Sequence, residues 1–180
     1  MKSYYRIADK LRHTIRNIPD FPNPGIDFKD ITPVLQNPTL CKEVLEAFLG
    51  HIDPKQVDVV VGVESRGFFF GILLASALQV PFVPIRKKGK LPYETLEETY
   101  TLEYGSASIE MHKDAFPSGA NVLLHDDLLA TGGTIAAAGR LIEKMGGRVT
   151  AFTFLVELSF LNGRSKLKVR EDQIISLTAY

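Results

Sequence analysis

The sequence predicts an α/β fold: a mainly parallel twisted sheet with helices on both faces, plus a flexible hairpin hood. Three observations carry this reading. Uninterrupted apolar runs of strand length recur along the chain, as in VDVVVGVE at 57–64. Stretches with helical spacing separate them, and strands buried on both faces in alternation with helices make a parallel sheet. The chain has 180 residues, 45% of them hydrophobic and 23% charged, an ordinary globular composition at roughly the length of one domain.

The first element is an amphipathic helix. Tyr4, Ile7, Ala8, Leu11, Ile15 and Ile18 follow the spacing of one helix face, and Ser3 can cap the start. Three prolines and a glycine at 19–25 end it, because proline can neither donate to a helix nor fit inside one. Residues 19–33 therefore read as a loop. Asn37-Pro38 opens a second helix, a cap followed by a first-turn proline, which buries Leu40, Val44, Leu45, Phe48, Leu49 and Ile52. The strand at 57–64 comes next, followed by a helix over about 66–78 and strands over 80–86 and 121–126. A helix over 133–145 stops at Gly146-Gly147, residues suited to a left-handed cap. Strands at 148–157 and 173–178 complete the sheet. Residues 87–116 break the pattern. They are polar, lack helical spacing, and hold two alternating runs around Tyr104-Gly105. They read as a hairpin lid over the sheet rather than part of it.

Composition narrows the function. Lys plus Arg equals Asp plus Glu at 21 each, so nothing draws the whole molecule to nucleic acid or an anionic membrane, and anion binding must be local. The single cysteine, Cys41, excludes an internal disulfide and fits a cytoplasmic location. The apolar stretch 68–85 contains Ser76, Gln79, Pro81 and Pro84, which suits a buried helix running into a strand rather than a bilayer span. The N-terminal residues lack the apolar core of a secretory signal. His13, His51 and His112 show no metal-ligand spacing, and His125 reads as a histidine of the core.

In open parallel sheets, ligands gather at the carboxyl ends of the strands. The most informative turn is VLLHDDLLATGGTIAAAG at 122–139. A strand ends at Asp126-Asp127, and Ala130-Thr131-Gly132-Gly133-Thr134 leads into a helix. Two glycines let successive N–H groups point inward at the positive end of that helix, with threonine hydroxyls beside them, which makes a phosphate cup. The alternative is a capped helix with a glycine turn. Two carboxylates cannot share a phosphate with the cup without repulsion, so they should face something rich in hydroxyls, such as a ribose, or a metal-bound group. Arg86, Lys87, Lys88 and Lys90 place four cations in five residues, either to grip a polyanion or as a solvated turn.

The segment DDLLATGGT resembles the phosphoribosyl-pyrophosphate (PRPP) signature of the type I phosphoribosyltransferases. NPGIDFKDITP (23–33), VGVESRGFFFG (61–71), IRKKGKLP (85–92), LEYGSASIEMHKDA (102–115) and LVELSFLNGRSKL (155–167) follow, in order, the pattern of the adenine phosphoribosyltransferase family. That resemblance implies transfer of a phosphoribosyl group from PRPP to adenine with Mg²⁺, held mainly by PRPP rather than by the protein. It implies that Ala130, Thr131, Gly132, Gly133 and Thr134 hold the 5′-phosphate and that Asp126 and Asp127 hold the ribose hydroxyls. Glu64, Ser65 and Arg66 would form the pyrophosphate loop, at a place where the family often has a cis peptide, with Arg86, Lys87 and Lys90 contributing. Phe28 would stack on adenine, with the backbone of Asp27 and Lys29 on the base edge and Leu128 opposite. Glu103 would handle the proton. The cationic run would reach a neighbouring subunit's site, which implies a homodimer. His125 stands where the family has a small apolar residue, and Asp27 where it has an apolar one. Two rivals are a transferase for 6-oxopurines and a PRPP-sensing regulator without catalysis. The regulator would need a nucleic-acid surface for which neither length nor charge leaves room.

Overall fold

The computed structural model describes residues 2–101 and 105–180, with side chains from Ile7 onward. The elements are α1 (Lys2–Thr14), β1 (Arg16–Ile18), β2 (Phe28–Asp30), α2 (Thr32–Leu35), α3 (Pro38–Leu49), β3 (Val59–Val63), α4 (Gly67–Leu78), β4 (Phe82–Lys87), β5 (Thr95–Thr101), β6 (Ser106–His112), β7 (Asn121–Leu129), α5 (Gly133–Lys144), β8 (Arg148–Glu157) and β9 (Ile174–Ala179). Seven strands form one sheet in the order β5-β6-β4-β3-β7-β8-β9. The five strands from β4 to β9 run parallel, while β6 joins β4, and β5 joins β6, antiparallel.

Side chains alternate across a strand, so each strand feeds two cores. Val60 and Leu123 face α1, α3 and α4, where Leu11, Val44, Phe48, Phe70 and Leu74 are buried. Val59, Val61, Val63, Val122 and Leu124 face the opposite side, where α5 contributes Ile135, Ala138, Leu141 and Ile142. Asn37 caps α3 as its sequence predicts, its Oδ1 accepting the Leu40 N–H at 3.0 Å. Two glycines let the sheet and α4 approach, because a Cβ on Gly62 or Gly71 would come within 2.8 Å of the Phe82 ring. Among the described residues, no helix is long and apolar enough to cross a membrane.

Four sequence expectations change. The first helix stops at Thr14, and Ile18 belongs to a strand that pairs with Phe28–Asp30 inside the presumed loop. Spacing of three fits either state locally, and the pairing partner lies ten residues further on. α2 also begins within the last two residues of that loop, at Thr32. The strand at 121–126 continues through both aspartates to Leu129, because β8 offers it a full-length parallel partner. The hairpin extends the sheet rather than standing over it, with Arg86 opposite Glu110 and Lys87 opposite Ile109. An unpaired β4 edge would leave its backbone groups open, and Ile109 and Met111 add to the buried core.

Candidate active site

The carboxyl ends of β3, β4 and β7 meet at a cleft. β3 runs into Glu64-Ser65, a cis peptide, and α4 starts at Gly67. A side chain at Gly67 would press within 3.0 Å of the Asp126 carboxylate and the His125 carbonyl. The bare Gly67 backbone at the α4 start therefore packs directly against the Asp126 carboxylate and the β7 backbone.

Asp126 is half-buried and Asp127 buried. Burial pushes both carboxyls above the usual carboxylate range; the neighbouring Asp127 charge adds to the rise at Asp126, and Arg66 opposes it at Asp127. Asp126 Oδ1 accepts the Asp127 N–H at 2.9 Å. Asp127 Oδ2 lies 2.9 Å from Arg66 Nε but accepts no aligned hydrogen bond. It is a buried acceptor in want of a donor, and a sugar hydroxyl is such a donor. Below it, His125 is fully buried, bonded through Nδ1 to Thr153 at 2.9 Å and packed edge-on against Phe48. Burial holds its pKa down to about 3, so it is a neutral core residue.

Arg66 joins three parts of the site. Besides Asp127, its guanidinium lies 4.9 Å over the Phe28 ring and donates to the Lys29 carbonyl at 3.5 Å. Phe28, Glu64, Ser65, Arg66, Arg86 and Lys87 share a cavity of about 420 Å³ with Asp126, Asp127 and Leu128. A second lobe of about 790 Å³ holds Asp27, Thr131, Gly133 and Thr134. Tyr100 and Thr134 line both lobes, and Thr134 Oγ1 donates to the Tyr100 hydroxyl at 3.0 Å.

The glycine turn has a steric reason. Gly132 sits at φ +75°, and a Cβ there would fall 2.4 Å from the Gly163 carbonyl. Gly163 in turn leaves no room for a Cβ against the Ala130 carbonyl, at 2.2 Å. The two turns touch through bare backbone, which fixes residues 130–134 at the α5 N-terminus. The 163–166 turn is itself held by Arg164, which grips buried Glu157 with two bonds of 2.7 Å.

Several sequence-predicted residues take different parts from those expected. The Glu64 carboxylate accepts from Arg86 Nε at 3.2 Å, Arg86 Nη2 at 3.3 Å and the Lys87 N–H at 3.0 Å. Burial opposes its ionisation, but these donors hold its carboxyl below the usual range. Through these bonds it orients Arg86 and the start of the 87–90 turn. The Lys29 side chain turns away to Asn17 and the Tyr180 ring, leaving its backbone on the cleft side. The Lys90 ammonium is exposed and outside both lobes. Ala130 lies in the turn behind them, and Glu103 lies outside the described residues. Sequence reasoning missed Tyr100, whose only local signal is an aromatic at an alternating position of a polar hairpin.

The chain matches the phosphoribosyl transferase domain family over residues 30–177. It is 51% identical to an adenine phosphoribosyltransferase of Cytophaga hutchinsonii, covering 97% of this chain and 96% of the relative. The chain belongs to the adenine phosphoribosyltransferases. Solved adenine phosphoribosyltransferases share its architecture. That of Thermoanaerobacter pseudethanolicus superposes with a TM-score of 0.92 at 48% identity, covering 96% of this chain and 99% of its own. That of Saccharomyces cerevisiae, solved with adenine and an imino-altritol bisphosphate, gives 0.90 at 44% identity over 96% and 99%. In this chain the Asp pair, the glycine turn and the 64–66 turn gather at the carboxyl ends of the central strands β3 and β7.

Proposed function

We propose that the protein transfers the 5-phosphoribosyl group of PRPP to adenine, giving AMP and pyrophosphate. One observation carries the reading. Half-buried Asp126 and buried Asp127, the latter with an unsatisfied oxygen, lie between the 130–134 glycine turn and the arginine-bearing 64–66 turn. PRPP has the same order of groups: a phosphate, a ribose with two free hydroxyls, and a diphosphate.

The residues divide the work accordingly. The N–H groups of 130–134 and the hydroxyls of Thr131 and Thr134 hold the 5′-phosphate at the α5 N-terminus. Asp126 and Asp127 accept the ribose hydroxyls. Ser65, Arg66, Arg86 and Lys87 face the diphosphate, with Glu64 and Lys90 supporting them. Phe28 and Leu128 line the same lobe and sandwich the base, and the Asp27 and Lys29 backbone reads its edge. The C1–O bond to diphosphate breaks, the electron pair leaves with the diphosphate, and a purine nitrogen attacks C1. Glu103 takes the nitrogen's proton. Mg²⁺, when bound with PRPP, would neutralise charge on the leaving diphosphate. Asp126 and Asp127 are the carboxylates of the cleft that could help hold such a cation.

The active form is proposed to be a homodimer. Helix α4 exposes Phe69, Ile72 and Leu73 on one stripe, at 46%, 52% and 40% of their surface, and a second copy of this face is its natural cover. Free Cys41 supports a cytoplasmic setting.

A parallel assay of purified protein with PRPP and adenine, hypoxanthine, guanine or uracil tests the reading. AMP formation with adenine alone supports it, turnover of the 6-oxopurines replaces it with the rival transferase, and no turnover refutes both. Sedimentation at micromolar concentration should give a dimer that Ile72→Lys dissociates.

A further inference from the structure

Glu110 is a carboxylate buried to 3% exposure between the core residues Ile109 and Met111 of the hairpin, and it touches neither lobe of the cleft. Its Oε1 accepts the backbone N–H groups of Lys90 and Leu91, each at 2.8 Å, and Oε2 accepts the Thr95 hydroxyl at 3.4 Å. Those two amides belong to the turn that carries Lys87, Lys88 and Lys90 and bends at Gly89, φ +81°. The same turn is tied from its other side, where Arg86 Nη1 donates to the Lys90 carbonyl at 3.1 Å. Arg86 is in turn held by Glu64. A continuous series of contacts thus runs from the 64–66 turn through Arg86 and Lys90 to Glu110.

Burial opposes ionisation of Glu110, but the backbone donors of Leu91, Gly89 and Lys90 outweigh it and hold the carboxyl below its ordinary value. A charged acceptor makes stronger bonds to N–H groups than a neutral one. Lys88 is held separately, by the Ser108 carbonyl and by Glu97, but without Glu110 the Lys90-Leu91 end of the turn loses its amide anchors, and the freedom gained there is entropy lost on gripping an anion.

We propose that Glu110 is a positioning residue for the diphosphate. From outside the cleft it fixes the 87–90 turn, and through Lys90 it fixes Arg86, in the geometry that receives the diphosphate of PRPP. This rests on the transferase reading above and adds a specific determinant of diphosphate affinity to it.

The test compares Glu110→Ala and Glu110→Gln with wild type by steady-state kinetics and pyrophosphate calorimetry. Alanine removes both anchors and should raise the KM for PRPP and the Kd for pyrophosphate about tenfold, the worth of one charge-assisted hydrogen bond. Glutamine keeps an acceptor oxygen without the charge and should raise them about threefold. The KM for adenine and kcat at saturating PRPP should stay within about twofold, since base and chemistry are contacted elsewhere. A lowered melting temperature with unchanged PRPP KM would make Glu110 structural only and overturn the proposal. An equal rise in both KM values overturns it too. If the alanine variant does not fold, the glutamine variant decides alone by the same split. If wild type does not use PRPP, the transferase reading falls by itself. Amide exchange at Lys90 and Leu91 then decides the anchor, which is supported by protection lost in Glu110→Ala and overturned by protection retained.

Discussion

Arg66 and Asp127 meet at 2.9 Å, with the other side of the guanidinium over Phe28. The contact ties α4's first turn to the end of β7, and it also limits what Arg66 can do. A diphosphate entering the 64–66 turn must share this guanidinium with Asp127 or take it over. Either way, the charge at the sugar and the charge at the diphosphate are coupled through one side chain.

The double variant Asp126→Asn, Asp127→Asn should lose PRPP affinity by about a hundredfold or more, since two carboxylate–hydroxyl bonds go. It should not lose stability. Both carboxyls sit above their ordinary value of 3.8, chiefly through burial, so ionising them costs stability as pH rises through and above that value. The variant should therefore gain melting temperature relative to wild type as pH increases. Wild-type PRPP affinity in the folded variant, read by calorimetry with Mg²⁺, would refute the assignment.

His125 works in the opposite direction on the pH axis. Its pKa falls from 6.5 to about 3 through burial, so the unfolded chain binds a proton that the native one refuses. Stability should drop as pH falls below 6.5, by about 1.4 kcal/mol per pH unit from this one group. Denaturant melts of wild type and His125→Leu at pH 7 and pH 5 check it; the difference between the two proteins should shift by roughly 2 kcal/mol in favour of leucine at the lower pH.

Glu98 fastens the hairpin to α5, bonding Arg140 at 2.7 Å and also Lys144. Its side chain is only 8% exposed while its partners are about half exposed, so the pair is partly screened. Glu98→Gln should cost about 1–2 kcal/mol, a melting decrease of roughly 3–6 °C. The Lys144 and Arg140 bonds lower its pKa below 4.5, so this contribution is present above that value and lost as pH falls through the folded one. An unchanged melting temperature would show that the hairpin is held by the β6–β4 pairing alone.

Gly132→Ala should be poorly tolerated. The left-handed backbone costs about 1 kcal/mol or more for any L side chain, and the methyl would meet the Gly163 carbonyl. The 130–134 turn must then leave Gly163, and PRPP affinity should fall together with stability. Thermal melts with and without PRPP read both effects.

Glu103→Gln should reduce single-turnover AMP formation about 10²–10⁴-fold with PRPP affinity unchanged, the range of general acid–base catalysis. A loss under about threefold would leave proton removal to water.

Much of this was legible along the chain. The apolar runs at β3 and β8, the Asn37-Pro38 start of α3 and the glycines after α5 are local statements, decided by spacing, capping and backbone freedom. The sugar-phosphate reading of the Asp pair and the Thr-Gly-Gly-Thr turn is a proposal that could be made from the sequence for the same reason: the groups lie within nine consecutive residues. Other features required the folded chain. Ile18 is compatible with helix or strand until Phe28 arrives to pair with it. Gly163 carries no site signal, yet its lack of a side chain seats the phosphate turn. Glu64 and Arg66 are neighbours of one motif, but one of them orients Arg86 and the other holds Asp127. Tyr100 and Glu110 look like ordinary hairpin residues until β6 docks on β4, which brings Tyr100 to the cleft and Glu110 against the Lys90 and Leu91 amides. The sequence determined which elements form and which chemistry they can hold, because those depend on near neighbours. Tertiary structure alone decided which charges face the ligand and which face each other, because burial and pairing depend on residues brought together across the sheet.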